Sequence, residues 1–86
     1  MANPVLIDCP EGQWTKVATN VTAGYIHVVS EAPEKYTQTY RDTGGVAPTT
    51  LDEAVPFKND LTISAGAGID VYVWPIGKAG KVRADV

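Results

Sequence analysis

Residues 68–86 read GIDVYVWPIGKAGKVRADV, and the alternation inside this stretch decides the fold class. In an extended chain Val71 and Val73 fall on one side while Asp70, Tyr72 and Trp74 fall on the other. The same alternation returns after Gly80, with Ala84 and Val86 against Arg83 and Asp85. Gly77 and Gly80 flank Lys78 and Ala79, a spacing that predicts a β-hairpin with Trp74 opposite Arg83, Tyr72 opposite Asp85, Val73 opposite Ala84 and Val71 opposite Val86. In that register every apolar residue shares one face, and a slip of one residue would mix the two sets. Arg83 then lies over Trp74, a cation–π contact worth ~0.5–1 kcal/mol at an exposed site. Pro75 cannot donate to a ladder and marks this end as an edge or a bulge.

Upstream, short runs rich in Val, Ile, Thr and aromatic residues recur between Gly, Pro and Asn clusters, with almost no helical periodicity. The expected strands are 4–8, 13–19, 24–30, 35–41, 61–64, 69–76 and 81–86. They predict a small antiparallel β-sandwich or barrel of six to seven short strands, with residues 1–86 forming a single domain. NVTAG (20–24) is read as a chain reversal, as is the region of Gly66 and Gly68. In YIHVVS (25–30), Ile26 and Val28 oppose Tyr25, His27 and Val29, so this run is the candidate central strand. Residues 42–59, DTGGVAPTTLDEAVPFKN, are too rich in Gly and Pro for one strand. Thr50 and Glu53 have the spacing of a capping box there, which predicts a single helical turn. A loop of this length in so short a chain predicts an excursion toward a neighbour.

The chain has 86 residues, with ten acidic and seven basic side chains and a net charge of −3. A domain of this size buries only roughly 60% of its unfolded surface, so burial against another body is expected to help it. Dispersed cations on an acidic chain argue against nucleic acid as a partner. The N-terminal sequence lacks a basic region followed by an apolar run, and no stretch is apolar for long enough to span a membrane, so neither a signal peptide nor a membrane partner is expected. The lone Cys9 leaves no intrachain disulfide and suits a reducing compartment.

Catalysis needs convergent groups, and this chain offers one His, one Cys and scattered carboxylates. His27, inside an apolar run, reads as a structural histidine. Cys9, between Asp8 and Pro10, lacks an activating cation and reads as a passive thiol. GAGID (66–70) places its glycines before a strand, whereas the dinucleotide fingerprint follows a strand and opens a helix. Asp52, Glu53 and Asp60 do not have the spacing of a calcium loop. Asn20-Val-Thr matches a glycosylation sequon and reads as a turn without a secretory signal. No enzyme, no cofactor and no metal site is therefore expected. Tyr72, Trp74 and Arg83 instead have the composition of an interface centre, and Gly45, Thr50 and Leu51 on the long loop complete the expected contact set.

Three stretches, VLIDCPEGQWTKVATNVTAG (5–24), YTQTYRDTGG (36–45) and the terminal GIDVYVWPIGKAGKVRADV, give the chain a resemblance to the small β-structured virion proteins of tailed bacteriophages. These are capsid decoration or cement proteins and related head or tail accessory proteins. The resemblance implies a non-catalytic structural protein, made in the host cytoplasm and docked in multiple copies or as a homo-oligomer on the capsid surface. Its partner would be the major capsid protein or another virion protein, and its role to stabilise the assembled head. The alternatives are a tail or head-tail accessory protein and a carbohydrate-binding β-sandwich module, in which Tyr72 and Trp74 would form a stacking platform.

Overall fold

A computed structural model describes residues 5–86. The fold is all-β, as the alternation predicts: β1 (Val5–Cys9), β2 (Thr15–Val28), β3 (Lys35–Asp42), β4 (Val55–Phe57), β5 (Asp60–Ile76) and β6 (Gly80–Asp85). They form one continuous six-stranded sheet in the order β1-β6-β2-β5-β3-β4, with every pairing antiparallel.

Two expected reversals are bends inside long strands. The expected strands 13–19 and 24–30 fuse into β2, and 61–64 and 69–76 fuse into β5. Asn20 (φ 52°) and Gly66 (φ 75°) do hold the left-handed backbone that suggested turns. In β2 that geometry is spent on bulges, with register shifts between Lys16 and Ala18, Ala18 and Val21, and Val21 and Ala23. Bulges bend a strand and sharpen its twist without ending its pairing. The two long strands therefore curl together. Thr15–Val21 pairs with Ile69–Val73, and Ala23–His27 pairs with Asp60–Ser64.

The sheet is thereby divided into two halves facing one core. One half holds the start of β2, the end of β5, β3 and β4; the other holds β1, β6, the end of β2 and the start of β5. Val17, Tyr36, Val71 and Val73 from the first pack with Cys9, Ile26, Ile63, Val82 and Ala84 from the second. Tyr36 crosses between them, its hydroxyl donating to the Ser30 carbonyl at 2.7 Å. The central-strand expectation for residues 25–30 is met as far as Val28, where β2 ends, since β2 lies between β6 and β5.

The terminal hairpin does not form. β6 pairs with β1 and β2, setting Arg83 beside Leu6 and His27, while Trp74 pairs with Thr37 and Tyr72 with Thr39 and Lys16. Residues 77–79 are an arch between the halves of the sheet. The apolar set was placed correctly, since Val71, Val73 and Ala84 are buried. Alternation fixes which face a side chain takes and carries no information about which strand lies next to it. β4 lies within the Gly- and Pro-rich run 42–59, where no strand is expected, and it contains Pro56. As an edge strand beside β3 it pairs on one side alone, the position where proline is tolerated.

Candidate interaction surface

The expected contact centre is dispersed. Tyr72 is 4% exposed, with the Lys16 ammonium 5.9 Å from its ring centre. Trp74 is half-buried and meets Trp14 edge to face, with centroids 5.5 Å apart and planes at 82°. Arg83 is exposed on β6, in the other half of the sheet. The end of β5 is buried on both faces, Asp70 and Tyr72 as well as Val71 and Val73. Here the reading of Tyr72 as an outward contact is corrected. Trp14 reaches the long loop from this same face, its indole Nε1 donating to the Thr50 carbonyl at 2.7 Å. Pro48 is buried, and Arg41 on β3 forms a two-pronged ion pair with Glu53. The loop thus lies over its own sheet. Thr50 contributes a turn there, accepting from the Asp52 N–H at 3.4 Å, while Glu53 turns to Arg41 rather than back into a capping box.

What remains open lies at the rim. Gly45, Thr50 and Leu51 are exposed on the loop. Val46 is 84% exposed, Tyr40 59%, Val55 53% and Leu51 42%. Tyr40 and Val55 border one shallow groove of about 390 Å³, with the Arg41–Glu53 pair between them. Tyr40 also borders a second cleft of about 410 Å³ on the core side, lined by Leu61, Ile63, Ile69 and Val71. In the sequence Tyr36, Gln38 and Tyr40 share a face, and nothing there separates Tyr36, which the core encloses, from Tyr40, which stands where the halves of the sheet diverge.

The outer face of the second half is also open. Tyr25, half exposed, stacks on His27 with centroids 5.9 Å apart and an interplanar angle of 23°. His27 Nδ1 lies 2.6 Å from Asp60 Oδ1, on the row that continues through Arg83 to Leu6. A histidine–carboxylate pair orients an imidazole, but Cys9 is enclosed in the core and its thiol is pushed up to about 11, first by burial and then by the Asp8 charge. That thiol is no nucleophile for the dyad. Among the described residues no three His, Cys, Asp or Glu side chains converge as metal ligands. Stacking, ion pairing and apolar burial are the chemistry these surfaces offer.

No known family, curated protein or solved structure matches the chain.

Proposed function

We propose that this chain is a non-catalytic structural protein of a tailed-bacteriophage virion, a small β domain docked on the exterior of the assembled head. The observation that carries this reading is the pair of exposed apolar side chains Tyr40 and Val55, which border one groove. Apolar side chains gathered beside grooves on a small soluble surface mark a place for a partner. The partner would be the major capsid protein, with neighbouring copies of the chain docked in the same way. The role is mechanical. A surface whose burial exists only in the closed shell favours that shell by mass action. The sugar-binding alternative loses its platform, because Tyr72 is buried and Trp74 stands edge-on to Trp14.

The test is to purify virions of the phage encoding the chain, quantify it by mass spectrometry and locate it by electron microscopy. Copies in fixed ratio to the capsid protein, on the outside of the head, are expected. Absence from purified particles rejects the reading. A Tyr40→Ser, Val55→Ser double variant should keep its unfolding midpoint and lose incorporation, since both side chains are largely in solvent.

A further inference from the structure

The cleft beside Tyr40 is bounded on one side by a strand edge that nothing pairs. β5 is flanked by β2 and β3, but β3 takes only Ile69–Ile76. Along Asp60–Ser64 β2 occupies one edge, and among the described residues no strand occupies the other. The Val28 N–H donates to the Asn59 carbonyl at 2.7 Å, which sets the phase of the ladder. Antiparallel strands bond through alternate residues. Ile26 and Gly24 therefore bond to Leu61 and Ile63, and the N–H and C=O groups of Thr62 and Ser64 face outward, away from β2.

This edge has the surroundings of a missing strand. Thr62, Ile63 and Ser64 border the cleft of about 410 Å³ on the core side. They also border a recess of about 430 Å³ on the other face, beside Tyr25 and Asp85. A strand laid along the edge would send alternate side chains to the two sides, the inward ones against Tyr40, Ile69 and Val71. The charge at the mouth is negative. Asp42 lines the cleft, is exposed, and makes none of the ion pairs found within 4 Å among the described residues.

From these observations we infer that the Thr62–Ser64 edge of β5 takes up an extended segment of a partner protein as an added antiparallel strand, one with alternating apolar side chains and a Lys or Arg that reaches Asp42. Main-chain bonds would give such a contact its affinity and the recesses its side-chain preference. The cation requirement favours a partner segment over a second copy, because the chain carries a net charge of −3 and its own Ile63 already faces its own core. The inference goes beyond the virion reading and does not depend on it.

The probe is an N-acetylated, C-amidated peptide of alternating valine and threonine with a lysine at each end, titrated into the isotopically labelled chain. Amide shifts and slowed hydrogen exchange centred on Thr62 and Ser64, with side-chain shifts at Tyr40 and Ile69, are expected. A peptide N-methylated on the amides that face the edge should bind at least about tenfold more weakly, having lost two backbone bonds. Asp42→Asn should weaken the parent peptide about threefold, as loss of one exposed ion pair does, and should not alter binding of a peptide ending in glutamine. Equal binding of the methylated and parent peptides, or shifts that leave Thr62 and Ser64 unmoved, would overturn the inference. So would protection of these amides that rises with protein concentration alone, which assigns the edge to a second copy. None of these readouts involves a particle, so this inference and the virion reading fail separately.

Discussion

The side-chain carboxylate of Asp70 accepts the backbone N–H of Asn20 across 2.9 Å, and this bond joins the bend of β2 to the strand that curls with it. Asn20 sits in left-handed backbone at φ 52°, so its N–H leaves the regular ladder and needs a partner of its own. Asp70 also accepts from the Thr43 hydroxyl at 3.2 Å and lies 3.5 Å from Lys16 Nζ. One buried carboxylate gathers β2, β5 and the start of the long loop.

The Asn20 N–H holds the Asp70 carboxyl below its ordinary range, burial opposes this, and Thr43 and Lys16 add to the lowering. A folded pKa below the unfolded one, about 3.9 for Asp, means that the unfolded chain binds the proton more tightly. The carboxylate then contributes its full stabilisation above about pH 4 and loses it as pH falls through the folded pKa. Asp70→Asn should lower the urea midpoint at pH 7, and the gap from the parent should narrow steadily as the pH falls below about 4. A gap that stays constant across that range would remove the ionised carboxylate from the account.

Trp74 is expected to matter to folding. Its ring supports Trp14, and Trp14 holds the loop through Thr50. Trp→Ala in a full core costs about 3–5 kcal/mol, so half-buried Trp74→Ala should cost about 2 kcal/mol of unfolding free energy. Trp14→Phe keeps a ring and removes the indole donor, at about 1 kcal/mol. Both should raise hydrogen exchange across the loop. If Trp74→Ala unfolds at the parent's midpoint, the edge-to-face pair is not holding the loop.

Fold class was legible in the sequence because period-two alternation follows directly from strand geometry. The buried set of the terminal segment was legible for the same reason. Neighbour identity was not. Val73 opposite Ala84 and Val73 opposite Thr15 produce the same alternation, and only the global packing of Val82 and Ala84 against Ile26 selects between them. Asn20 and Gly66 signalled left-handed backbone truthfully, yet a reversal and a bulge demand the same φ. Alternation along its own strand sets Tyr72 opposite Val71 and Val73, and so assigns it to the outward face. The fold buries it, with the Lys16 ammonium 5.9 Å from its ring centre, and the alternation of its own strand gives no sign of that cover.

Cys9 should be inert in the native protein. Cys9 is 1% exposed, and burial, then the Asp8 charge, raises its pKa from near 9 to about 11. At pH 8 iodoacetamide should label the native chain far more slowly than the urea-unfolded chain, because the thiolate is the reactive form. The sign for stability is opposite to that of Asp70. The folded state holds the proton more tightly, so stability is whole below about 9 and falls as pH rises toward about 11. Cys9→Ala should abolish that part of the alkaline loss, and its persistence in the variant would assign it to another group.

Gly80 and Tyr36 meet at a tight junction between the halves of the sheet, and a coupling measurement should expose it. The Tyr36 hydroxyl donates to the Ser30 carbonyl at 2.7 Å and lies 3.4 Å from that of Lys81. A methyl group built on Gly80 would overlap that hydroxyl and come within 2.7 Å of Pro33 Cγ. Gly80→Ala should therefore cost about 1–3 kcal/mol, the usual range for overpacking. Tyr36→Phe should cost about 1 kcal/mol for the lost bond. In the Tyr36→Phe background the oxygen is gone, and the alanine should cost less by at least about 0.5 kcal/mol, the size expected for residues in contact. Urea unfolding of the four proteins in the cycle measures this directly. Strict additivity would mean that the backbone at Gly80 shifts away from Tyr36 when the methyl group is added, and that the junction between the halves yields more easily than its packing implies.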